Sequence, residues 1–231
     1  MPPVGPWPMR LQWIQDTGSP RLLLVFLGWG MDPAPVAHLI PVPGEDTGLL
    51  WDYRDLTLPA GLAERCQRAE AVRVLAWSWG VWVCGTLQPH VLGPLGQALA
   101  VNGTLAPLDP DRGIRPRFLT SPVSDRTLPT VWHAMAPSGP ARNAFQAALP
   151  GRVAHELWEE RTQLTAAAAH LPVPFPFHHA LISRRDQVIP PEAQLRQWEG
   201  QVPVTLLEAP HYPFHLWSSW EDPFQVVGHE H

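Results

Sequence analysis

Lysine is missing from this 231-residue chain, and all sixteen of its basic side chains are arginine. Charge of either sign is sparse: Asp, Glu, Lys and Arg together make 16%, against about a quarter in an average soluble protein. The formal net charge is −5, so the broad positive footprint of a nucleic-acid-binding protein is absent. Cysteine is nearly absent too. Cys66 lies in a polar stretch of helical character and Cys84 in an apolar one, and two thiols supply neither a disulfide framework nor metal-ligand spacing. The longest apolar run, Leu22 to Leu27, is far too short to span a bilayer. The amino terminus has no basic region followed by a continuous apolar one, so no secretory leader is expected. No internal repeat and no run of like charge occurs. No glycine-rich loop ends in Lys-Ser or Lys-Thr, which excludes the usual phosphate cradle. These absences predict a protein of the reducing cytoplasm, with no membrane and no nucleic-acid partner, no metal and no cofactor.

What is abundant is apolar residues, proline and tryptophan: 45% hydrophobic, 29 prolines and 12 tryptophans. That much proline suits a disordered chain, but the apolar content does not. The prolines therefore belong in loops and helix starts of one domain, or one domain with a modest insertion. Short apolar runs at 22–27, 49–53, 71–77, 97–102, 179–183 and 202–207 read as strands, with 10–15 a possible edge strand. Helix-length segments lie at 32–40, 59–69, 79–89, 191–200 and 216–228. Strands alternating with helices imply a mostly parallel sheet. The alternation fails between Leu105 and Leu171, where helical patterns at 124–135, 140–148 and 151–169 have no strand between them. Leu171-Pro-Val-Pro-Phe-Pro-Phe177 reads as a stiff return linker. The expected parts are therefore a core of residues 1–104 and 172–231 and a helical cap insertion at 105–171.

Ala76-Trp77-Ser78-Trp79-Gly80 follows a β-branched strand and precedes a helical run. That is the setting of a nucleophile elbow, whose sharp turn needs small residues two positions either side of the serine. Alanine stands where the first glycine usually does, and it is still small. A serine nucleophile needs a base, and the base needs an orienting acid. Asp186 sits beyond the 179–183 strand, and His211 beyond the 202–207 strand. The chain order Ser78, Asp186, His211 is that of the α/β-hydrolase fold, which is the fold class expected here. The plainer alternatives are that Asp186 caps the helix after Pro190 and that His211 is a surface histidine. An oxyanion site needs two backbone donors. The predicted pair is the amide of Trp79, next to the nucleophile, and that of Trp29 in the Gly28-Trp29-Gly30 loop. The Trp29 indole walls the acyl pocket or merely packs in the core.

The other histidines carry less. His155-Glu-Leu-Trp-Glu159 has half of a zinc helix motif, with glutamate where the second histidine should be, and reads as a helix face. His178 and His179 adjoin a strand end, where packing is the simplest role, and His229 and His231 read as a frayed terminus. Asp52-Tyr-Arg54-Asp55 reads as a strand-end turn held by an Arg–Asp pair.

With these residues placed, the chain resembles the BioG-type pimeloyl-[acyl-carrier protein] methyl ester esterases. The likeness rests on Phe26-Leu-Gly-Trp-Gly-Met-Asp32, Asp52-Tyr-Arg-Asp-Leu56 and Leu75-Ala-Trp-Ser-Trp-Gly-Val-Trp82. It continues through Val101-Asn-Gly-Thr-Leu-Ala-Pro107, Gly113-Ile114, Asp186-Gln-Val-Ile-Pro190 and His211-Tyr-Pro-Phe214. Alanine at position 76 is at home in that family, and the cap is the part least matched. The resemblance implies a serine esterase of biotin precursor synthesis. It would remove the methyl ester that masks the far carboxylate of a pimeloyl chain carried on an acyl carrier protein. Two other readings remain open: a general carboxylesterase on small soluble esters, and a non-catalytic binding protein of the same fold. A monomer is expected. An acidic carrier would need a local basic patch. Of the seven arginines in the insertion, Arg142, Arg152 and Arg161 are the expected docking residues, because they fall on predicted helices. The alternative is that these arginines only solubilise the cap.

Overall fold

The computed structural model describes residues 8–87, 89–169 and 175–228. Most of the expected linker 171–177, and the terminal His229 and His231, lie outside the described residues. Seven strands form one sheet: β1 (Arg10–Gln15), β2 (Arg21–Phe26), β3 (Asp46–Trp51), β4 (Ala71–Trp77), β5 (Leu95–Val101), β6 (His179–Ser183) and β7 (Val204–Leu207). Their spatial order is β1-β3-β2-β4-β5-β6-β7. Only β1 runs antiparallel to its neighbour, and every other pairing is parallel. The fold is α/β of the α/β-hydrolase type, a mostly parallel sheet flanked by helices.

Strand chemistry follows position. Leu22 to Phe26 in β2 and Val74 to Trp77 in β4 are completely buried, as expected of central parallel strands covered on both faces. The edge strand β1 instead has no fully buried residue, its positions being exposed or half-buried. Between strands run α1 (Leu62–Arg68), α2 (Trp79–Thr86), α7 (Pro191–Trp198) and, after β7, α8 (Asp222–Gly228). The predicted helix at 32–40 shrinks to one 3-10 turn at Ala34–Val36. Pro33, Pro35 and Pro41 remove the donors a longer helix would need. The predicted helix at 216–228 begins only at Asp222, because the Asp222 carboxylate accepts the N–H groups of Ser218 and Ser219 at 2.7 and 3.2 Å and holds them in a turn.

After β5 the chain leaves the sheet for α3 (Pro116–Thr120), α4 (Leu128–Met135), α5 (Gly139–Ala147) and α6 (Ala154–Ala167), and returns at β6. The short α3 has no counterpart in the sequence reading; five residues are too few to show a period. In α6 the buried positions are Leu157, Glu160, Arg161 and Leu164. Two charged residues thus occupy the inward stripe of this helix.

The chain passes from β2 to β3 on one side and then to β4 on the other. The loops after β2 and β4 therefore diverge at a topological switch point, where open α/β sheets leave a crevice beyond the strand ends. Gly28 and Ser78 meet there. A Cβ on Gly28 would lie 3.2 Å from the Ser78 Cβ and 3.4 Å from the Trp77 ring. Gly80 is tighter still, since a Cβ there would sit 2.3 Å from the Phe26 carbonyl oxygen. Gly80→Ala should therefore destabilise the fold at or above the top of the ~0.5–3 kcal/mol range of single substitutions. A urea titration checks this, and an unchanged midpoint would show that α2 can move off β2 freely.

Candidate active site

The buried strand β4 ends at Trp77, and α2 begins at Trp79, so Ser78 alone makes the turn. Its backbone sits at φ 57°, ψ −124°, a region that serine avoids and that marks stored strain at functional turns. The Ser78 Oγ lies 2.9 Å from His211 Nε2, and His211 Nδ1 lies 2.7 Å from Asp186 Oδ2. His211 is fully buried, and Ser78 and Asp186 nearly so. The three predicted residues come together from the loops after β4, β6 and β7.

Each is held by further bonds. Asp186 Oδ1 accepts the N–H groups of Val188 and Ile189 at 2.8 and 2.9 Å, and Oδ2 accepts from Gln194 Nε2 at 2.9 Å. The carboxylate therefore holds the 186–189 turn and faces His211, whereas α7 opens at Pro190 with no side-chain cap, so Asp186 is not the cap of that helix. The Trp77 indole N–H donates to the His211 carbonyl at 3.0 Å, and the two rings lie 5.6 Å apart. Asn102, at the end of β5 with φ 44°, acts as a clamp. Its Nδ2 donates to the His211 carbonyl at 2.9 Å and to Ser183 Oγ at 2.8 Å, while its Oδ1 accepts the Ser183 N–H at 2.7 Å. Asn102 thus ties the end of β6 to the loop that carries His211. Its role escaped the sequence reading, although its left-handed backbone is one that asparagine accepts more readily than most residues.

Trp79 opens α2, and a first helical N–H has no acceptor within its own helix. Its indole is buried edge-on against Trp82, ring centres 5.9 Å apart. The Trp29 indole is also buried and donates to the Leu157 carbonyl of α6 at 2.9 Å. It is an anchor between core and cap. The cap also presses on the histidine loop: Tyr212 N–H donates to the Met135 carbonyl at 2.9 Å, and the Phe145 and Tyr212 rings lie 4.9 Å apart.

The cap contact includes a buried ionic cluster that sequence reasoning missed. Arg152 reaches Asp52 at 2.9 Å and Glu160 at 2.5 Å. Arg54 holds Asp52 in a two-point bond of 2.8 and 2.7 Å, the expected Arg–Asp pair, and reaches Glu159 at 3.2 Å. Glu160 accepts the N–H groups of Tyr53 at 2.8 Å and Gly30 at 3.1 Å. Burial pushes the Glu160 carboxyl up from its ordinary value, opposed by Arg152 and the two amides. Burial also pushes Asp52 up, but the Arg54 bond, with Arg152 and Arg10 nearby, outweighs it and holds the carboxyl below its ordinary 3.8. A depressed carboxyl stabilises the fold above its unfolded value, and that contribution is lost as the pH falls through the folded one. Wild-type stability should decline below about pH 4, and Asp52→Asn, though less stable at neutral pH, should decline less over the same window. Urea midpoints along an acid series read this, and parallel curves would count against it.

Two docking expectations need correction. Arg152 precedes α6, and its side chain is 3% exposed within the ionic cluster. Arg161 faces inward, donates to the Phe118 carbonyl at 3.3 Å, and borders a cap cavity of about 320 Å³ with Phe118, Val131 and Ala134. Helical position does not make a cation a surface group. Arg152 belongs to the contact between cap and core and Arg161 to the cap interior, and Arg142 on α5 is the one of the three that is exposed. A groove of about 550 Å³ beside Asp186 is bordered instead by Arg115, Arg184 and Arg185.

The remaining histidines do ordinary work. His178 Nδ1 accepts the Ala98 N–H at 3.0 Å, and His179 Nε2 meets Thr205 Oγ1 at 2.8 Å. Both lie at the start of β6, the opposite end from Asp186. The exposed His155 pairs with Glu159 at 3.1 Å. Among the described residues, no group of three or more His, Cys, Asp or Glu could hold a metal ion, and no helix is long and apolar enough to cross a membrane.

Comparison with known proteins adds three findings. The family described as pimeloyl-ACP methyl esterase BioG matches residues 9–131, just over half of the chain. A malonyl-[acyl-carrier protein] O-methyltransferase of Bacteroides fragilis (strain 638R) is 35% identical over 181 residues, 77% of this chain but only 36% of the methyltransferase. This chain thus spans about a third of that relative's length. Among solved structures, BioG from Haemophilus influenzae superposes with a TM-score of 0.82 at 28% identity, covering 93% of this chain and 99% of the other. The esterase RhEst1 from Rhodococcus sp. ECU1013 follows at a TM-score of 0.61 and 18% identity over 94% and 91%, a likeness of fold alone.

Proposed function

This chain belongs to the pimeloyl-ACP methyl esterase BioG family, and from that premise we propose that it is a serine esterase acting on the methyl ester of a pimeloyl chain borne by an acyl carrier protein. The observation that carries the reading is the hydrogen-bonded series Ser78–His211–Asp186, at 2.9 and 2.7 Å, on a strained turn at the switch point. Ser78 Oγ attacks the ester carbonyl carbon while His211 Nε2 takes its proton. Asp186 keeps the other imidazole nitrogen protonated and steadies the charge that forms. The amides of Trp29 and Trp79 hold the oxyanion. His211 returns its proton to the departing methoxide, which leaves as methanol. Water, with His211 again as base, then splits the acyl-serine and frees the carboxylic acid. Ester and water enter, acid and methanol leave, and no cofactor takes part.

The name of the Bacteroides methyltransferase concerns a methyl group placed on a carrier-bound carboxylate, the kind of ester this reaction removes. The carrier itself is acidic and this chain carries −5, so a local patch must do the docking. Arg142 and the arginines bordering the groove beside Asp186 are the groups available for it. A binding protein without activity has no need of all three linked side chains. A general carboxylesterase would share the triad and differ in the cap.

Mass spectrometry of the product from pimeloyl carrier methyl ester decides the substrate, with a short aryl ester run alongside. Conversion of the carrier-bound ester to its free acid with release of methanol, at higher kcat/KM than for the aryl ester, is the expected result. Hydrolysis of the aryl ester alone would leave a carboxylesterase, and no turnover of either, with Ser78 inert to a fluorophosphonate, would remove the esterase reading.

A further inference from the structure

The loop that supplies Trp29 takes two of its hydrogen bonds from the cap. The Trp29 indole N–H donates to the Leu157 carbonyl at 2.9 Å, and the N–H of the next residue, Gly30, donates to Glu160 Oε2 at 3.1 Å. Leu157 and Glu160 are successive inward positions of α6. The Trp29 amide therefore lies beside two anchors that both belong to one cap helix. Gly30 has φ +76°, and a Cβ there would press on Leu157 at 3.2 Å, so backbone and helix are already in contact.

Glu160 does more than touch the loop. It is fully buried, and its other oxygen accepts the Tyr53 N–H at 2.8 Å. One carboxylate thus joins the loop after β2 to the loop after β3. A buried carboxylate is costly unless it is paired, and Arg152 pairs it at 2.5 Å while also reaching Asp52. A hydrophobic residue at 160 would fill the stripe of α6 more cheaply, but it would leave two buried N–H groups without an acceptor.

We propose that Glu160 is the positioning residue of the oxyanion loop: through Gly30 it sets the Trp29 amide, so the oxyanion site is complete only when α6 is seated on the core. This rests on the esterase reading above. An oxyanion donor acts on the transition state and little on the bound ester. A residue that aims the donor should therefore change kcat and leave KM nearly alone, whereas a residue that only stabilises the fold changes neither in the folded enzyme.

The test is Glu160→Gln in the full chain, with active sites counted by fluorophosphonate end-point titration and a soluble aryl ester as substrate. The expected result is a kcat lower by on the order of 10²-fold with KM within about twofold, short of losing a donor outright. Affinity for a boronic acid that forms a tetrahedral adduct on Ser78 should fall by the same factor as kcat. A titrated kcat within about threefold of wild type would overturn the proposal. If Glu160→Gln fails to fold, Glu160→Asp decides, since it keeps a carboxylate beside Arg152 but draws it back from the Gly30 N–H. A several-fold lower kcat at unchanged KM supports the proposal, and an unchanged kcat overturns it. Failure of wild-type Ser78 to label would overturn the esterase reading, and this proposal with it; a labelled wild type with an unimpaired variant overturns this proposal alone.

Discussion

Ser78→Ala should lower ester turnover by on the order of 10⁶-fold while the protein stays folded. The size follows from the geometry. Ser78 Oγ is the atom 2.9 Å from His211 Nε2, and without it His211 has no nucleophile to activate at the strand end. His211→Ala should cost nearly as much, and the double variant little more, because residues acting as one unit do not add. The fold should survive, since among the described residues the Ser78 side chain bonds only to His211. Ser78→Gly offers a control: glycine accepts φ 57° without strain, so this variant should be as inactive as the alanine one yet more stable to urea. Turnover by Ser78→Ala within about a hundredfold of wild type would mean that another group attacks the ester.

Asp186→Asn should lower turnover by roughly 10⁴-fold. Asp186 Oδ1 accepts two backbone N–H groups, so the asparagine carbonyl would keep that side. The amide nitrogen then falls where Oδ2 now accepts from Gln194 and faces His211 Nδ1. Facing a donor, the imidazole must turn Nδ1 into the acceptor and carry its proton on Nε2. A protonated Nε2 cannot take the serine proton. The measurement is kcat/KM of purified, folded Asp186→Asn on the same ester. Near-wild-type turnover would show that a different carboxylate orients His211.

How much of this protein could be read from its sequence depended on whether the signal was local. Apolar runs bounded by glycine and proline located the strands, and their spacing from helical segments implied a parallel sheet. The elbow was visible because its constraint is local: a sharp turn between β4 and α2 needs small residues at 76 and 80. Gly80 is required by a Phe26 carbonyl far away in sequence, but the requirement still registers as a glycine. Asp186 and His211 were legible because chain order and strand ends suffice to place them.

The tertiary structure decided what depends on which face meets which. Arg152 and Arg161 look like any cap arginines, and only packing turned them inward, toward carboxylates or a half-buried carbonyl. Glu160 in the stripe of α6 reads as an exposed charge until Gly30, Tyr53 and Arg152 converge on it. Asn102 gains its role only because β5 pairs with β6, which brings Ser183 and the His211 loop within reach of one amide. The physical reason is the same in each case. Hydrophobic periodicity is a property of neighbours along the chain, whereas pairing a buried charge or amide requires partners separated by up to 130 residues, and no local pattern records where those partners will be.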